Sequence, residues 1–289
     1  MNTNDMRLRL RECFVLFSAL SAITLAACSQ PAPSAMSAGE GDSSIIGGTD
    51  ANGSEEFAST VVSVYNVESS GLCTASIVSD SLLVTAAHCV NGPASSLRII
   101  FGTNIKDEKT RIVREPDSYK VSPLWPFRQD EPLNSGDIAM VKFSGGLPPG
   151  YRPAQILADA SHLTNGTTVL LAGYGISNGV AHTGGGTLRY VEVQIQNNAF
   201  SESELLVAQN QGRGACHGDS GGPAYVRVNG QLMLWGVTNR GVNDPKNDCS
   251  VSAAYASVLY YREWLQQTAQ ELLGQSQAAN RAPASAAGH

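Results

Sequence analysis

The chain has 289 residues, of which 42% are hydrophobic and 15% are charged, and its formal net charge is −6. This composition supplies enough apolar side chains for a packed core and too few charges for a disordered chain, so a globular protein is expected. The acidic balance, with no cluster of lysine and arginine after residue 28, argues against a surface for phosphate backbones, and no nucleic-acid partner is expected.

The first 28 residues have the organisation of an export signal. Three arginines, Arg7, Arg9 and Arg11, precede an apolar run over residues 14–27. The run is too short to span a bilayer, and it has the charge and length of a signal-peptide core. We therefore expect residues 1–28 to direct the protein out of the cytoplasm.

The end of this run, Leu-Ala-Ala-Cys at 25–28, resembles the lipobox of bacterial lipoproteins, in which the cysteine is lipid-modified and becomes the new N-terminus. The resemblance implies a lipid anchor at Cys28, and Ser29 after it favours the bacterial outer membrane. The alternative is an ordinary secretory signal, which would release the protein to the periplasm or the extracellular space. Residues 29–44 are rich in Ser, Ala, Pro and Gly and predict a flexible spacer or propeptide.

Short apolar or alternating runs follow the spacer. Glycine, proline, asparagine and aspartate separate them, which is typical of an antiparallel barrel or sandwich. The runs cover residues 59–67, 75–78, 82–87, 97–101, 138–143, 169–172, 188–195, 224–228 and 232–238. Apolar residues at helical spacing over 258–273 predict a terminal amphipathic helix, and the small and polar residues 275–289 predict a disordered tail.

Four cysteines lie in the exported region, since Cys13 and Cys28 belong to the signal. They are Cys73, Cys89, Cys216 and Cys249. Their spacing is not that of a zinc site, and export to an oxidising compartment favours disulfides over free thiols. Four cysteines allow three pairings, so two disulfide bonds are expected without a choice of partners.

Two short motifs carry the strongest functional signal. They are Gly-Asp-Ser-Gly-Gly-Pro at 218–223 and Thr-Ala-Ala-His-Cys at 85–89, the second at the end of an apolar run. A glycine-rich turn would explain the first motif alone but not its companion. A serine hydroxyl becomes an effective nucleophile when a base removes its proton, and an imidazole with a pKa of about 6.5 can do so at neutral pH.

Together with Asp137 in Asp-Ile-Ala-Met-Val-Lys, these motifs resemble the trypsin/chymotrypsin family of serine peptidases over residues 45–265. The resemblance implies an all-β fold of two six-stranded antiparallel barrels, at about 45–148 and 149–256, with the helix closing a peptidase domain over 45–274. It also implies a serine endopeptidase that works through an acyl-enzyme on protein or peptide substrates, without a cofactor.

The family resemblance assigns a catalytic triad. Ser220 is then the nucleophile, His88 the general base, and Asp137 the carboxylate that orients the imidazole. Asp117 and Asp130 are nearby competitors for the last role. We favour Asp137 because the apolar run that follows it would hold its carboxylate inside the fold.

The same resemblance gives roles to the neighbours of the triad. The amides of Gly218 and Ser220 are expected to form the oxyanion hole. Cleavage before Ile45 would free an amine that pairs with Asp219, so the chain would be a zymogen with an activating protease as a partner. Ser44 stands where the family commonly has Arg or Lys, and the activator is therefore not expected to be trypsin-like. The implied disulfides are Cys73–Cys89 and Cys216–Cys249.

A specificity pocket is also implied, lined by Gly214, Ala215, His217, Asn239, Arg240, Gly241 and Ala253. Gly214 stands where trypsin-like members have an acid that binds Lys or Arg. The pocket is therefore expected to favour an apolar P1 residue, the substrate residue before the cut bond. His217 and Arg240 leave open an alternative, a cationic rim that prefers acidic P1 residues.

Three further possibilities stay open. The chain could be a catalytically silent, protease-like binding lipoprotein, although no triad member is missing. It could be an esterase, although a long cleft between two barrels favours extended peptides. No metal is predicted from the spacing; the loop with Asp107 and Glu108 is where family analogy would place calcium.

Overall fold

The computed structural model describes residues 45–125 and 134–281, of which 275–281 are described by their backbone alone. The predicted export signal with Cys28, the spacer and the competitor Asp130 lie outside the described residues.

Fifteen strands and one α-helix lie in the described residues. The strands are β1 (Thr49–Asp50), β2 (Val61–Asn66), β3 (Gly71–Ser79), β4 (Leu82–Thr85), β5 (Leu97–Phe101), β6 (Ile112–Arg114), β7 (Pro116–Val121), β8 (Ala139–Phe143), β9 (Gln155–Ile156), β10 (Thr168–Gly173), β11 (Arg189–Asn197), β12 (Glu204–Ala208), β13 (Pro223–Val228), β14 (Gln231–Val242) and β15 (Ser252–Ser257). The helix α1 covers Arg262–Arg281.

The first sheet has seven strands in the order β6-β5-β2-β3-β4-β8-β7, and every neighbouring pair is antiparallel. It curls around a core that includes Val64, Ile77, Leu83, Ile99 and Phe101. All four residues of β4 are buried, which explains why its apolar run is continuous and does not alternate.

The second sheet closes into a six-stranded barrel. Its strands follow the order β11-β10-β13-β14-β15-β12, and β12 pairs back with β11. In β11 the buried side chains of Val191, Val193 and Ile195 alternate with the exposed ones of Glu192 and Gln194. This period of two is that of a strand with one face on a core and the other in water.

The predicted all-β, chymotrypsin-like fold is confirmed, with one closed barrel and one curled sheet. The details differ from the expectation in two respects. The first sheet has seven strands, and among the described residues its edge strands β6 and β7 do not pair with each other. The expected boundary near residue 148 is crossed, because Thr49 and Asp50 pair with Tyr190 and Arg189 of the second sheet. A two-residue strand has no periodicity, so its partner could not be inferred from the pattern.

The helix begins later and continues further than predicted. Residues 257–261 form a turn in which the Tyr261 amide donates to the Ser257 carbonyl, and α1 starts at Arg262. Leu265 and Leu272 are the buried residues of its apolar face. The backbone stays helical to Arg281, into the region predicted as a disordered tail. One glycine, Gly274, costs a helix only about 1 kcal/mol relative to alanine, and the next helix breaker is Pro283.

Among the described residues, no helix is both long and apolar enough to cross a membrane.

Candidate active site

His88 and Asp137 are brought together by the pairing of two strands. His88 lies in the 3-10 turn Ala87–Cys89 directly after β4, and Asp137 lies directly before β8. β4 and β8 are antiparallel, with Thr85 opposite Ala139. The residues that follow one strand therefore lie beside the residues that precede the other, which places the two side chains within contact distance.

The carboxylate of Asp137 is held on His88 by both oxygens. His88 Nδ1 lies 2.7 Å from Asp137 Oδ2, and the His88 backbone amide donates to Oδ1 at 2.9 Å. Asp137 is 5% exposed, so water does not compete for these oxygens. Burial by itself would lower the pKa of His88, but the hydrogen bond and the negative charge of Asp137 outweigh burial and raise that pKa above its ordinary value.

Ser220 reaches the same cavity from the second sheet. It lies in the loop before β13, and β3 of the first sheet holds this loop through Thr74, whose amide donates to the Ser220 carbonyl at 2.9 Å. The Ser220 side chain lines one cavity with His88 and Asp137. Its hydroxyl makes no hydrogen bond to another described residue. Catalytic hydrogen bonds of this kind often tighten only when substrate is bound.

The amides of Gly218 and Ser220 are available to a ligand. In the described part of the chain, neither amide donates to a protein acceptor. Gly218 has a φ of +97°, and a Cβ there would lie 2.8 Å from the Cα of Gly175. Only glycine fits this position without displacing its neighbour, so the loop geometry depends on it.

Asp219 points away from the cavity and is 1% exposed. Its two carboxylate oxygens accept hydrogen bonds from the amides of Gly175 and Cys216, each at 2.8 Å. Burial raises the pKa of Asp219 to about 7, although these bonds and the charge of Arg189 oppose the rise. A Cβ at Gly175 would lie 2.6 Å from the carboxyl carbon, so the absence of a side chain there makes room for the carboxylate.

Ile45, the predicted new N-terminus, is fully buried in the core of the second sheet. The next residue is tied to the pocket segment, because the Gly214 amide donates to the Ile46 carbonyl at 3.0 Å. Ile45 has a φ of +50°, in the left-handed region that β-branched residues avoid.

A cavity of about 470 Å³ extends from the triad into the second sheet. Six of the seven predicted pocket residues line it: Ala215, His217, Asn239, Arg240, Gly241 and Ala253. Gly214 is buried and is not among the lining residues, and its predicted contact with substrate stays a prediction. The lining also contains Gln209, which the motifs did not single out.

The charge of Arg240 is matched from inside the protein. Its guanidinium donates to both oxygens of Glu204, from Nη1 at 2.6 Å and from Nη2 at 2.8 Å. Glu204 is fully buried and also accepts from Ser135 and Asn239. Burial alone would raise the pKa of Glu204, but these partners, Arg240 first, outweigh burial and lower it.

This ion pair bears on the cationic-rim alternative. The guanidinium of Arg240 already binds a buried carboxylate with two hydrogen bonds. It therefore attracts an acidic P1 side chain much less strongly than an unpaired cation would. The other rim residue, His217, is exposed and stacks on His182 with 5.2 Å between ring centroids. Glu204 escaped the sequence analysis because it begins β12, a strand that was not predicted.

The comparisons with known proteins agree with this geometry. The family model for trypsin matches residues 45–265. The chain belongs to the trypsin family. It is a serine endopeptidase, a hydrolase.

Its relatives include trypsin from Sarcophaga bullata, 30% identical over 232 residues, which cover 73% of this chain and 84% of the relative. Cercarial protease from Schistosoma mansoni is 30% identical over 65% of this chain and 76% of its own length. Brachyurin from Leptuca pugilator is 26% identical over 67% of this chain and 86% of its own length.

The disulfides have the pairing that the trypsin-family resemblance implied. Cys73 is joined to Cys89 and Cys216 to Cys249. The first bond ties β3 to the turn that carries His88. The second ties the segment before Ser220 to the far wall of the pocket.

The other acidic residues considered have partners elsewhere. Asp117 accepts a hydrogen bond from Ser144 at 2.7 Å, and the structure gives it no contact with His88. Asp107 accepts from Thr110 and the Lys109 amide within its own loop, and Glu108 pairs with Arg111.

The Asp137→Asn substitution is expected to lower the pKa of His88. It removes the charge that raises this pKa and leaves the burial that lowers it. An NMR titration of the His88 ring protons would measure the shift, with Asp117→Asn as the matched control. An unchanged pKa in Asp137→Asn would show that Asp137 does not govern the imidazole.

Proposed function

We propose that this chain is an exported serine endopeptidase that cleaves peptide bonds through an acyl-enzyme formed on Ser220. The observation that carries the proposal is the double contact of the buried Asp137 with His88, beside Ser220 in one cavity. A carboxylate on Nδ1 leaves Nε2 as the ring nitrogen that accepts a proton.

In the proposed reaction, Ser220 Oγ attacks the substrate carbonyl carbon while His88 Nε2 accepts the hydroxyl proton. The imidazolium is stabilised by Asp137 and then donates the proton to the leaving amine as the C–N bond breaks. Water, deprotonated by the same nitrogen, attacks the ester carbonyl carbon. His88 then returns the proton to Ser220 Oγ as the C–O bond breaks, which releases the acid and restores Ser220.

The two unpaired amides flanking Asp219 support an oxyanion hole. We propose that those of Gly218 and Ser220 donate to the carbonyl oxygen as it becomes negative in the tetrahedral intermediate. One donor of this kind is worth about 3 kcal/mol of transition-state stabilisation. The burial of Asp219 keeps the loop between the two donors turned inward.

The Ser220→Ala substitution is expected to lower kcat on the order of 10⁴-fold or more with the fold retained, because it removes only the nucleophile. Peptide hydrolysis and labelling by a fluorophosphonate probe measure the loss. Ser95→Ala, at an exposed serine, is the control and should behave as wild type. Normal turnover by Ser220→Ala would end the proposal, whereas a wild-type protein that neither labels nor hydrolyses peptides would favour the silent binding protein.

We propose further that the chain is a zymogen cleaved before Ile45. A β-branched residue in the left-handed region costs about 1–3 kcal/mol, and φ at Ile45 exists only while its peptide bond to Ser44 is intact. Cleavage would remove that strain and create an ammonium group. Asp219, a buried carboxylate with no described salt bridge, is the acceptor that such an amine would neutralise. Ser44 argues for an activating protease that is not trypsin-like.

The uncleaved form is expected to lose stability as pH rises from about 4, near the unfolded pKa of an aspartate, toward about 7. Between these values the folded protein binds a proton at Asp219 that the unfolded chain has released, so rising pH favours unfolding. In the cleaved form the amine should lower the pKa of Asp219 and abolish this fall.

Urea denaturation across this pH range compares the two forms, both carrying Ser220→Ala to prevent self-digestion. Asp219→Asn in each form is the control, and it should flatten the uncleaved profile. Identical pH profiles for the cleaved and uncleaved proteins, or equal peptidase activity of the two forms with Ser220 restored, would refute the zymogen proposal.

For localisation, we propose lipidation at Cys28 and an outer-membrane anchor, on the strength of the lipobox-like sequence alone. Cys28→Ser is expected to abolish incorporation of labelled palmitate and to release the protein from membranes, since one acyl-modified cysteine is the only anchor proposed. Cys13→Ser, just before the apolar run of the signal, is the control. Palmitate labelling that survives Cys28→Ser would favour the ordinary secretory signal.

A further inference from the structure

Gln209 lies at the inner end of the specificity pocket. It follows β12 directly, is 1% exposed, and lines the cavity that contains the triad. Its backbone amide donates to the Val251 carbonyl at 3.0 Å, so its main chain is anchored to the segment before β15.

The carboxamide of Gln209 is fixed in place at both ends. Its Oε1 accepts from the Ala215 amide at 2.8 Å, and its Nε2 donates to the Cys249 carbonyl at 2.9 Å. These two partners lie on the two segments that the Cys216–Cys249 disulfide joins. The amide group therefore spans the pocket between its opposite walls.

Two features favour glycine at 214: its backbone φ of +154°, which side chains rarely adopt, and the position of this carboxamide. A Cβ on Gly214 would lie 2.5 Å from Cδ and 2.6 Å from Oε1 of Gln209. A glutamine at 209 and a side chain at 214 thus compete for one volume. The acid that would bind Lys or Arg in trypsin-like members is absent, and a neutral amide from a different strand stands in its space.

We infer that Gln209 forms the floor of the specificity pocket and restricts the P1 residue to uncharged side chains of intermediate length. This inference rests on the proposed peptidase function and names its substrate class. An amide carries no net charge, so a P1 lysine, arginine or carboxylate would lose its hydration without gaining an opposite charge at the floor. Leucine and the slender side chains of methionine and glutamine fit this description, whereas the aromatic rings of phenylalanine and tyrosine are too bulky for it.

The walls agree with a limit on size. Ala253 places a methyl group where a glycine would leave space, and Gly241 on the facing strand leaves the entrance open. Ala215, beside the floor, adds no charge. Arg240 provides no unmatched cation for an acidic P1 residue, because its guanidinium holds Glu204.

The test measures kcat/KM for one peptide sequence that carries Ala, Leu, Met, Gln, Phe, Lys or Glu at P1. In Gln209→Ala the ratio of Phe to Leu is expected to rise about tenfold or more, since a few methylene groups of pocket depth change discrimination by that amount. Gln209→Met keeps the volume and should keep the wild-type size limit. Gln209→Glu should gain cleavage after Lys. Gln211→Ala, at the exposed neighbour, should match wild type.

A second arm tests the shared volume. Gly214→Ala is expected to lose most activity in the wild-type background, because the φ of +154° at this position strains any side chain and the new methyl group also meets Gln209. Gln209→Ala removes only the second cost, so the double variant should recover part of the lost activity. A role for Gln209 in cross-linking the pocket walls alone would lower stability without changing the P1 ratios or producing this rescue.

Labelling with a fluorophosphonate separates the outcomes. The inference is overturned if every Gln209 variant that still labels has the wild-type P1 profile. If Gln209→Ala fails to fold, the Met and Glu variants, which are close to glutamine in volume, decide the matter by the same comparison. A wild-type protein that neither labels nor cleaves any of the peptides would instead refute the proposed function.

Discussion

Thr74 joins the parts of the active site that come from different sheets. Its hydroxyl donates to the Gly218 carbonyl at 2.9 Å and accepts from the Tyr174 amide at 3.1 Å. Its carbonyl accepts from the Thr85 hydroxyl at 2.8 Å, close to the turn that carries His88. Its backbone amide donates to the Ser220 carbonyl, so every polar group of this buried residue makes a hydrogen bond. The side chain and backbone of Thr74 therefore hold both the loop that contains Ser220 and the end of β4, which leads to His88. This is why a site divided between two sheets can have a defined geometry.

Two buried carboxylates near the site illustrate opposite uses of charge. Glu204 is compensated by Arg240 and by two neutral donors, so its ionised form is stable and the pair supports the wall behind Asn239. Asp219 has two backbone donors, and burial still raises its pKa to about 7. A group that is so costly to ionise responds strongly to a nearby amine. The burial of Asp219 is only partly offset by its two backbone donors and the charge of Arg189, so this carboxylate would respond to the amine proposed at Ile45. Glu204 is offset more fully and stabilises the structure around it.

In the proposed pocket, the volume beside Gly214 is occupied by the side chain of another residue, Gln209. The acid at the position of Gly214 is missing, yet its volume is filled from position 209 by a side chain pinned between Ala215 and Cys249. The proposed floor of the pocket is therefore an amide without net charge. A comparison limited to position 214 would describe an open pocket, whereas the space is occupied.

The motifs around His88 and Ser220, together with Asp137, were sufficient to predict the family, the all-β fold and the residues that meet in the cavity. Such predictions succeed because each motif requires one backbone conformation. Some positions of that conformation, such as Gly218 with its positive φ, accept only glycine. Ends of elements were less predictable: α1 continued past Gly274, where one unfavourable residue does not outweigh the helix formers around it.

What the chain's tertiary structure alone decided is which distant side chains share a volume or a charge. Glu204 and Gln209 lie on and directly after a strand with no clear pattern, and nothing local marks either residue. β12 lies beside β15, whose other neighbour β14 carries Arg240, so Glu204 comes within reach of Arg240 in the folded barrel. Gln209, just after β12, meets the segment that contains Gly214. Local sequence determines the backbone conformation of a few residues at a time. Burial, and the pairing of strands far apart in the chain, depend on closure of the barrel. Burial and strand pairing together set the charge and depth of the proposed pocket.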